Sequence, residues 1–226
     1  MPEQDSFVVA VTGLAFEARI AAGEGTKTVC FAVPGRLAQT LEAAVVHPNC
    51  RGVISFGTSG GLEPSLRPGD WVVATAIVNG STRYVTDPEW TRALAQSLPR
   101  AAQGMFATAS GPVMGIADKH VLHNATGALA VDMESHTAAD IAHRHGIAFA
   151  ACRVVIDPAS RALPTCIRVA VREDGRNAPG RLLAALARRP SEVWPLIQLA
   201  LDAKRARAAL IVGRRLLDSR MSLPYR

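Results

Sequence analysis

Apolar residues fall along this chain in short continuous runs that alternate with stretches of helical spacing, not in the strict in–out alternation of a half-exposed sheet. Strands are expected at residues 7–11, 28–33, 52–56, 71–78, 105–109, 128–132 and 149–156. Between them, helical patterns cover 16–22, 37–46, 90–98, 119–125 and 134–145. The punctuation agrees: Thr12-Gly13, Pro34-Gly35, Pro68-Gly69-Asp70 and Asp157-Pro158 each close or open an element. Alternating strands and helices with short links predict one α/β domain over residues 1–226. Its architecture would be three-layered, helices on both faces of a twisted, mixed but mostly parallel sheet.

Beyond the last strand the pattern changes. Residues 160–190 are rich in Arg, Pro and Gly and read as a mobile loop or lid. Residues 193–217 carry Leu196, Leu199, Ala200, Ala203, Ala206, Leu210 and Val212 at helical spacing, with Pro195 suited to a first turn, which predicts an amphipathic C-terminal helix.

Composition narrows the class. With 49% apolar and 19% charged residues, disorder over most of the length is excluded. The net charge is +6 and the arginines concentrate after residue 160, which suggests an anionic neighbour or simply a solvated helix face. Only 5% of residues are aromatic, too few for a base-stacking platform, so nucleic acid is not the expected partner. Cys30, Cys50, Cys152 and Cys166 form no CxxC pair and sit in mostly apolar surroundings, as small core residues of a reducing compartment. The polar N-terminus lacks a signal-peptide pattern and no apolar run reaches membrane-spanning length. A cytoplasmic protein, at most peripheral to a membrane, is expected. The histidines show no ligand spacing, so no metal is assigned.

In sheets of this kind, ligands bind beyond the carboxyl ends of the strands. Four polar clusters sit there: 13–17, 57–61, 132–134 and 153–157. The segment Gly57-Thr58-Ser59-Gly60-Gly61 can turn tightly and offer N–H and hydroxyl donors to an anion, or serve as a plain turn. Asp132 and Glu134 can hold a sugar diol or cap a helix. Arg153 and Asp157 lie four apart, so strand periodicity places them on one face, as an ion pair or as an acid in a dry crevice.

Together the clusters resemble the superfamily of nucleoside phosphorylases and methylthioadenosine/S-adenosylhomocysteine nucleosidases. The resemblance is carried by Phe56-Gly57-Thr58-Ser59-Gly60-Gly61-Leu62, by Pro68-Gly69-Asp70-Trp71-Val72-Val73, by Val131-Asp132-Met133-Glu134-Ser135 and by Arg153 to Asp157, in family order. Ile156 departs from the pattern, where a Ser commonly precedes the Asp. The resemblance implies a purine nucleoside as substrate and cleavage of its N-glycosidic bond. Asp157, with Arg153, would be catalytic and act on N7 of the base; Glu134 and Met133 would bind the ribose. Gly13, Glu17, Thr58, Ser59 and Gly60 would hold phosphate or the nucleophilic water. The chain is most similar to the hopanoid-associated phosphorylases. That similarity implies inorganic phosphate as co-substrate, no cofactor, and release of adenine from adenosylhopane, with a basic helix that either lies on a membrane surface or packs on the sheet or a partner subunit. The superfamily implies a homo-oligomer, and leaves as alternatives a hydrolytic methylthioadenosine/S-adenosylhomocysteine-type nucleosidase and a non-catalytic nucleoside-binding protein of the same fold.

Overall fold

The computed structural model describes residues 6–30, 34–169 and 179–224. In chain order the elements are β1 (Phe7–Thr12), α1 (Ala15–Ala21), β2 (Thr26–Cys30), α2 (Pro34–Val45), β3 (Cys50–Gly61), β4 (Trp71–Asn79), β5 (Thr82–Val85), α3 (Pro88–Ser97), β6 (Ala102–Thr108), α4 (Ile116–Thr126), β7 (Ala130–Asp132), α5 (Ser135–Arg144), β8 (Ala148–Asp157), α6 (Pro179–Arg188) and α7 (Val193–Leu216).

The strands form one eight-stranded mixed sheet in the order β2-β1-β3-β7-β6-β4-β5, with β8 bonded to both β3 and β4. Parallel pairing joins β1 to β2 and β3, β3 to β8, β4 to β6 and β6 to β7. The antiparallel contacts are β3–β7, β4–β5 and β4–β8. Because β8 bridges β3 and β4, the strands β3, β8, β4, β6 and β7 close a ring, as the mostly parallel run of apolar strands does not by itself predict. Val8, Val9, Ala10, Val11, Val53 and Ile54 are fully buried, the mark of strands covered on both faces. One core lies under α2 and α5, with Leu37, Leu41, Ala138 and Ile141; the other lies under α1, α3 and α7, with Trp71, Trp90, Leu94, Ala206 and Leu210.

The sequence reading needs correction at four places. The segment 57–61 is no turn: β3 runs on to Gly61, and its end pairs with β7 and β8. β5 went unread although Asn79-Gly80 is a strong hairpin signal; Gly80, at φ 57°, supplies the left-handed residue such a turn needs. The expected loop at 160–190 holds a 3-10 turn at Thr165–Val169 and the helix α6, while 170–178 lies outside the described residues. α7 forms as expected, but the stripe it buries is Leu199, Asp202, Ala206, Leu210 and Gly213. Ala200 and Val212 point outward, so the packed face is turned from the one the apolar pattern suggested. Among the described residues, no helix is long and apolar enough to cross a membrane.

Candidate active site

Two buried polar clusters flank the end of β3. The first is organised by Arg153, on β8 and 1% exposed. Its Nε lies 2.8 Å from Asp132 Oδ2 and its Nη2 lies 2.9 Å from Glu134 Oε2. It also donates to Ser55 Oγ and, through Nη1 at 2.8 Å, to the Thr58 carbonyl. Burial works against the guanidinium charge, but Asp132, Glu134 and Glu17 outweigh it and raise its affinity for its proton. Arg153 is therefore a fixed cation among carboxylates. It is not paired with Asp157, as one of the sequence readings had it.

Glu134 follows β7 and opens α5, yet its side chain does no capping. That work falls to Asp132, which accepts from the Ser135 N–H at 3.2 Å and from the Ser135 hydroxyl. Glu134 is left facing Arg153 and the β1 end, where a Cβ added to Gly13 would stand 2.5 Å from its Oε1. Burial, tempered by Arg153 and aggravated by Asp132 and Glu17, raises its pKa to about 7. Met133 beside it is half-buried.

Glu17 completes this cluster from the first turn of α1. Its Oε2 accepts from the N–H groups of Gly13 at 3.1 Å and Leu14 at 3.0 Å. Its Oε1 accepts from the Thr58 N–H at 2.8 Å and the Thr58 hydroxyl at 2.6 Å. The bond to Leu14 is an ordinary helix-start contact; those to Thr58 reach another strand. Gly57 makes this possible, since a Cβ there would lie 2.6 Å from Glu17 Oε2. Burial raises the Glu17 pKa, while Arg153 and the Thr58 donors lower it in part. Thr58 and Gly13 thus meet where the sequence placed an anion, but the anion they hold is the protein's own. Ser59 is buried, and its hydroxyl finds no hydrogen-bond partner among the described residues.

Asp157 belongs to the second cluster. Ser59 pairs with Val155 but Gly60 pairs with Asp157, so β8 carries one extra residue, Ile156, at this point. The bulge inverts the expected period and takes Asp157 out of phase with Arg153. Its carboxylate meets Lys119 of α4 instead, at 2.5 Å. Lys119 is 0% exposed and is α4's buried residue. Its ammonium also donates to the carbonyls of Pro158 and Arg161, both at 2.9 Å. Burial pushes the Asp157 carboxyl above its ordinary range, and Lys119 pulls it back. Beyond it, Arg161 pairs with the buried Asp202 of α7. Lys119 escaped the sequence reading because a lysine in a helix of mixed pattern looks solvent-facing, and no spacing marks it.

Gly60 joins the two clusters. It pairs with Val131 on one side and Asp157 on the other, two strand spacings across, or roughly 10 Å. Its missing side chain leaves Asp157 Oδ1 and Oδ2 3.6 Å from where a Cβ would stand. Two open clefts lie elsewhere, one of about 390 Å³ beside Tyr84, Asp87 and His143, the other of about 490 Å³ beside Lys27, His47 and Asn49. The titratable groups with strongly perturbed environments gather instead at the buried strand ends.

Buried carboxylates gather around one arginine at the strand ends of a mixed α/β sheet, an arrangement suited to acid–base chemistry. The model of the phosphorylase superfamily matches residues 8–188, and the chain belongs to that family. A search of curated proteins finds no match. Among solved structures, the chain is similar to the 5′-methylthioadenosine/S-adenosylhomocysteine nucleosidase of Neisseria meningitidis in complex with methylthio-immucillin-A. The TM-score is 0.66 at 16% identity, over 92% of this chain and 97% of that one. The nucleosidase of S. pneumoniae with a transition-state inhibitor gives 0.62 at 14% identity, over 93% and 99%. A futalosine hydrolase mutant of Helicobacter pylori gives 0.58 at 12%, over 67% and 88%.

Proposed function

We propose that the protein cleaves the N-glycosidic bond of a purine nucleoside, with water as the acceptor. The observation that carries this reading is the Glu17 carboxylate seated on the Gly13, Leu14 and Thr58 donors. A phosphate would need those same donors. It would also enter a cluster where Glu17, Asp132 and Glu134 surround a single guanidinium, a field that opposes a dianion and favours the cationic sugar of a glycosyl transition state. Glu17 takes the proton of the attacking water on the lone pair freed when the Thr58 hydroxyl turns away, and Arg153 holds Glu134 toward the ribose hydroxyls. Asp157 protonates N7 as the C1′–N9 electron pair passes into the base. The purine is supported by neighbours solved with methylthio-immucillin-A, 8-aminoadenine and 5′-methylthioadenosine.

Incubation with adenosine, methylthioadenosine and S-adenosylhomocysteine in phosphate-free buffer tests it. Free adenine and a reducing sugar carrying ¹⁸O from labelled water are expected, and Glu17→Gln should abolish both. A strict need for phosphate, with sugar 1-phosphate as product, would overturn the hydrolytic reading.

That outcome would favour a second reading, phosphorolysis of a lipid-linked nucleoside such as adenosylhopane, with inorganic phosphate as co-substrate. Its support is at the start of α7, where Trp194, Ile197 and Leu201 are 66%, 45% and 53% exposed. Exposed Arg188, Arg189, Lys204 and Arg205 lie beside them in sequence, the composition of a helix that rests on an anionic lipid surface. A second copy of the chain is the other natural cover for this strip. Flotation with anionic vesicles, set against sedimentation of the protein alone, separates membrane from homo-oligomer.

A further inference from the structure

We propose that Lys119 is a proton-relay residue acting through Asp157: it hands its proton to the Asp157 carboxylate, which passes it to the departing purine. The inference rests on the glycosidic reading for its last step, but the relay pair is defined by geometry alone. Three acceptors surround the Lys119 ammonium: Asp157 Oδ2 at 2.5 Å and the carbonyls of Pro158 and Arg161 at 2.9 Å each. A buried ammonium uses all three, one for each N–H. The two carbonyls matter because a neutral amine keeps two N–H bonds and a lone pair. Both N–H groups stay satisfied on Pro158 and Arg161, while the lone pair faces Asp157. The same cage therefore accepts ammonium beside carboxylate or amine beside carboxylic acid, and no donor is orphaned by the exchange. The Lys119 side chain is fully buried and that of Asp157 is 7% exposed, so the exchange takes place largely out of water while the carboxylate keeps an opening toward it.

The step balances. One proton leaves Nζ for the carboxylate. The resulting carboxylic acid gives it to N7 while the C1′–N9 bond breaks and its electron pair enters the purine. The pair is left as amine and carboxylate, and regains a proton from water once the base has gone. The surrounding charges hold this pair in place without competing for the proton. Arg161, on the segment after β8, is paired with Asp202 of α7, which Arg205 also binds at 3.0 Å. Asp118 and His120, next to Lys119 on α4, are exposed. Asp132 and Glu134 belong to the Arg153 cluster across Gly60.

Two variants separate relay from mere positioning. Lys119→Arg keeps the charge and the donors but has no accessible neutral form. It should bind substrate with KM within a few-fold of wild type and release base at least 100-fold more slowly at every pH. Full activity in Lys119→Arg would overturn the relay. Lys119→Met leaves Asp157 buried without its cation, so Asp157 itself becomes the acid: activity should survive at low pH and fall on the alkaline side, where wild type holds. A Lys119→Met profile that overlays wild type would also refute the proposal. A readout independent of turnover is the Asp157 ¹³Cγ shift, followed by NMR against pH in folded wild type and Lys119→Met. The titration should move up by at least one unit in the variant; an unmoved titration refutes the pair even if no substrate is ever cleaved. Should Lys119→Met unfold, the same titration in Lys119→Arg decides, with the carboxylate expected to stay ionised to the lowest pH at which the protein is folded. Inactive wild type with a coupled Asp157 titration would condemn the substrate reading and leave the pair standing.

Discussion

Gly13 shows how little room this centre leaves. Any side chain there would strike the Glu134 carboxylate, since an added Cβ stands 2.5 Å from Oε1. The carboxylate is tied to Arg153 at 2.9 Å and cannot retreat without breaking that bond. Gly13→Ala is therefore expected to push Glu134 off its position, raising KM for nucleoside about tenfold or more while the protein stays folded. Steady-state kinetics alongside circular dichroism checks this, and an unchanged KM would refute Glu134 as the ribose clamp. Asp157→Asn is expected to cost on the order of 10²–10⁴ in base release, the usual worth of a general acid, and to leave nucleoside binding by calorimetry near wild type. A fully active Asn variant would remove Asp157 from the chemistry. Both carboxylates were legible in the sequence because they stand at strand ends within motifs. Their partners were not: Asp132 rather than Glu134 turned out to cap the helix, and Lys119 rather than Arg153 faces Asp157.

The elements themselves were read from hydrophobic runs, and where such runs exist the strands and helices fall within a few residues of expectation. What failed was register. A single extra residue at Ile156 sends Asp157 to the opposite parity from Arg153, and no periodicity argument can foresee a bulge that the partner strand imposes. The same limit applies to α7. Its sequence is apolar or basic on every side, so the pattern could not say which stripe meets the sheet. Packing decided through Gly213, the residue that lets the helix close on Trp71: a Cβ there would lie 2.2 Å from the Trp71 ring. Glycine inside a helix ordinarily costs about 1 kcal/mol relative to alanine. Here the order should reverse, with Gly213→Ala destabilising by roughly 1–3 kcal/mol through overpacking. Urea unfolding measures it, and a stabilised Gly213→Ala protein would mean that α7 does not seat on Trp71.

At the scale of the whole molecule, burying several acids in one place ties folding to pH in an uncommon direction. Glu134 rises from 4.5 to about 7, and Glu17 and Asp157 are raised as well, burial being the first cause in each. Between pH 4.5 and 7 the folded protein therefore keeps protons that the unfolded chain has released. Stability is fully present below the unfolded value and declines as pH climbs through the folded one. For Glu134 alone the loss is on the order of 2–4 kcal/mol. The groups shifted the other way, Glu42, Asp140 and Glu192, are half-buried. Hydrogen bonds with His145, Tyr84 and Thr165 respectively are the main cause, and their stabilising effect is lost only as pH falls through still lower values, outside this window. The protein should thus resist urea better at pH 5 than at pH 7, and Glu134→Gln should remove a large part of that difference while raising stability at pH 7. A protein more stable at pH 7 than at pH 5, with Glu134→Gln making no difference, would mean that Glu134 meets water in the folded state. The trade this implies is between fold and site: the burial that lifts Glu134 to about 7, and Glu17 and Asp157 in the same direction, is what the proposed bond cleavage would draw on, and it erodes stability as pH rises.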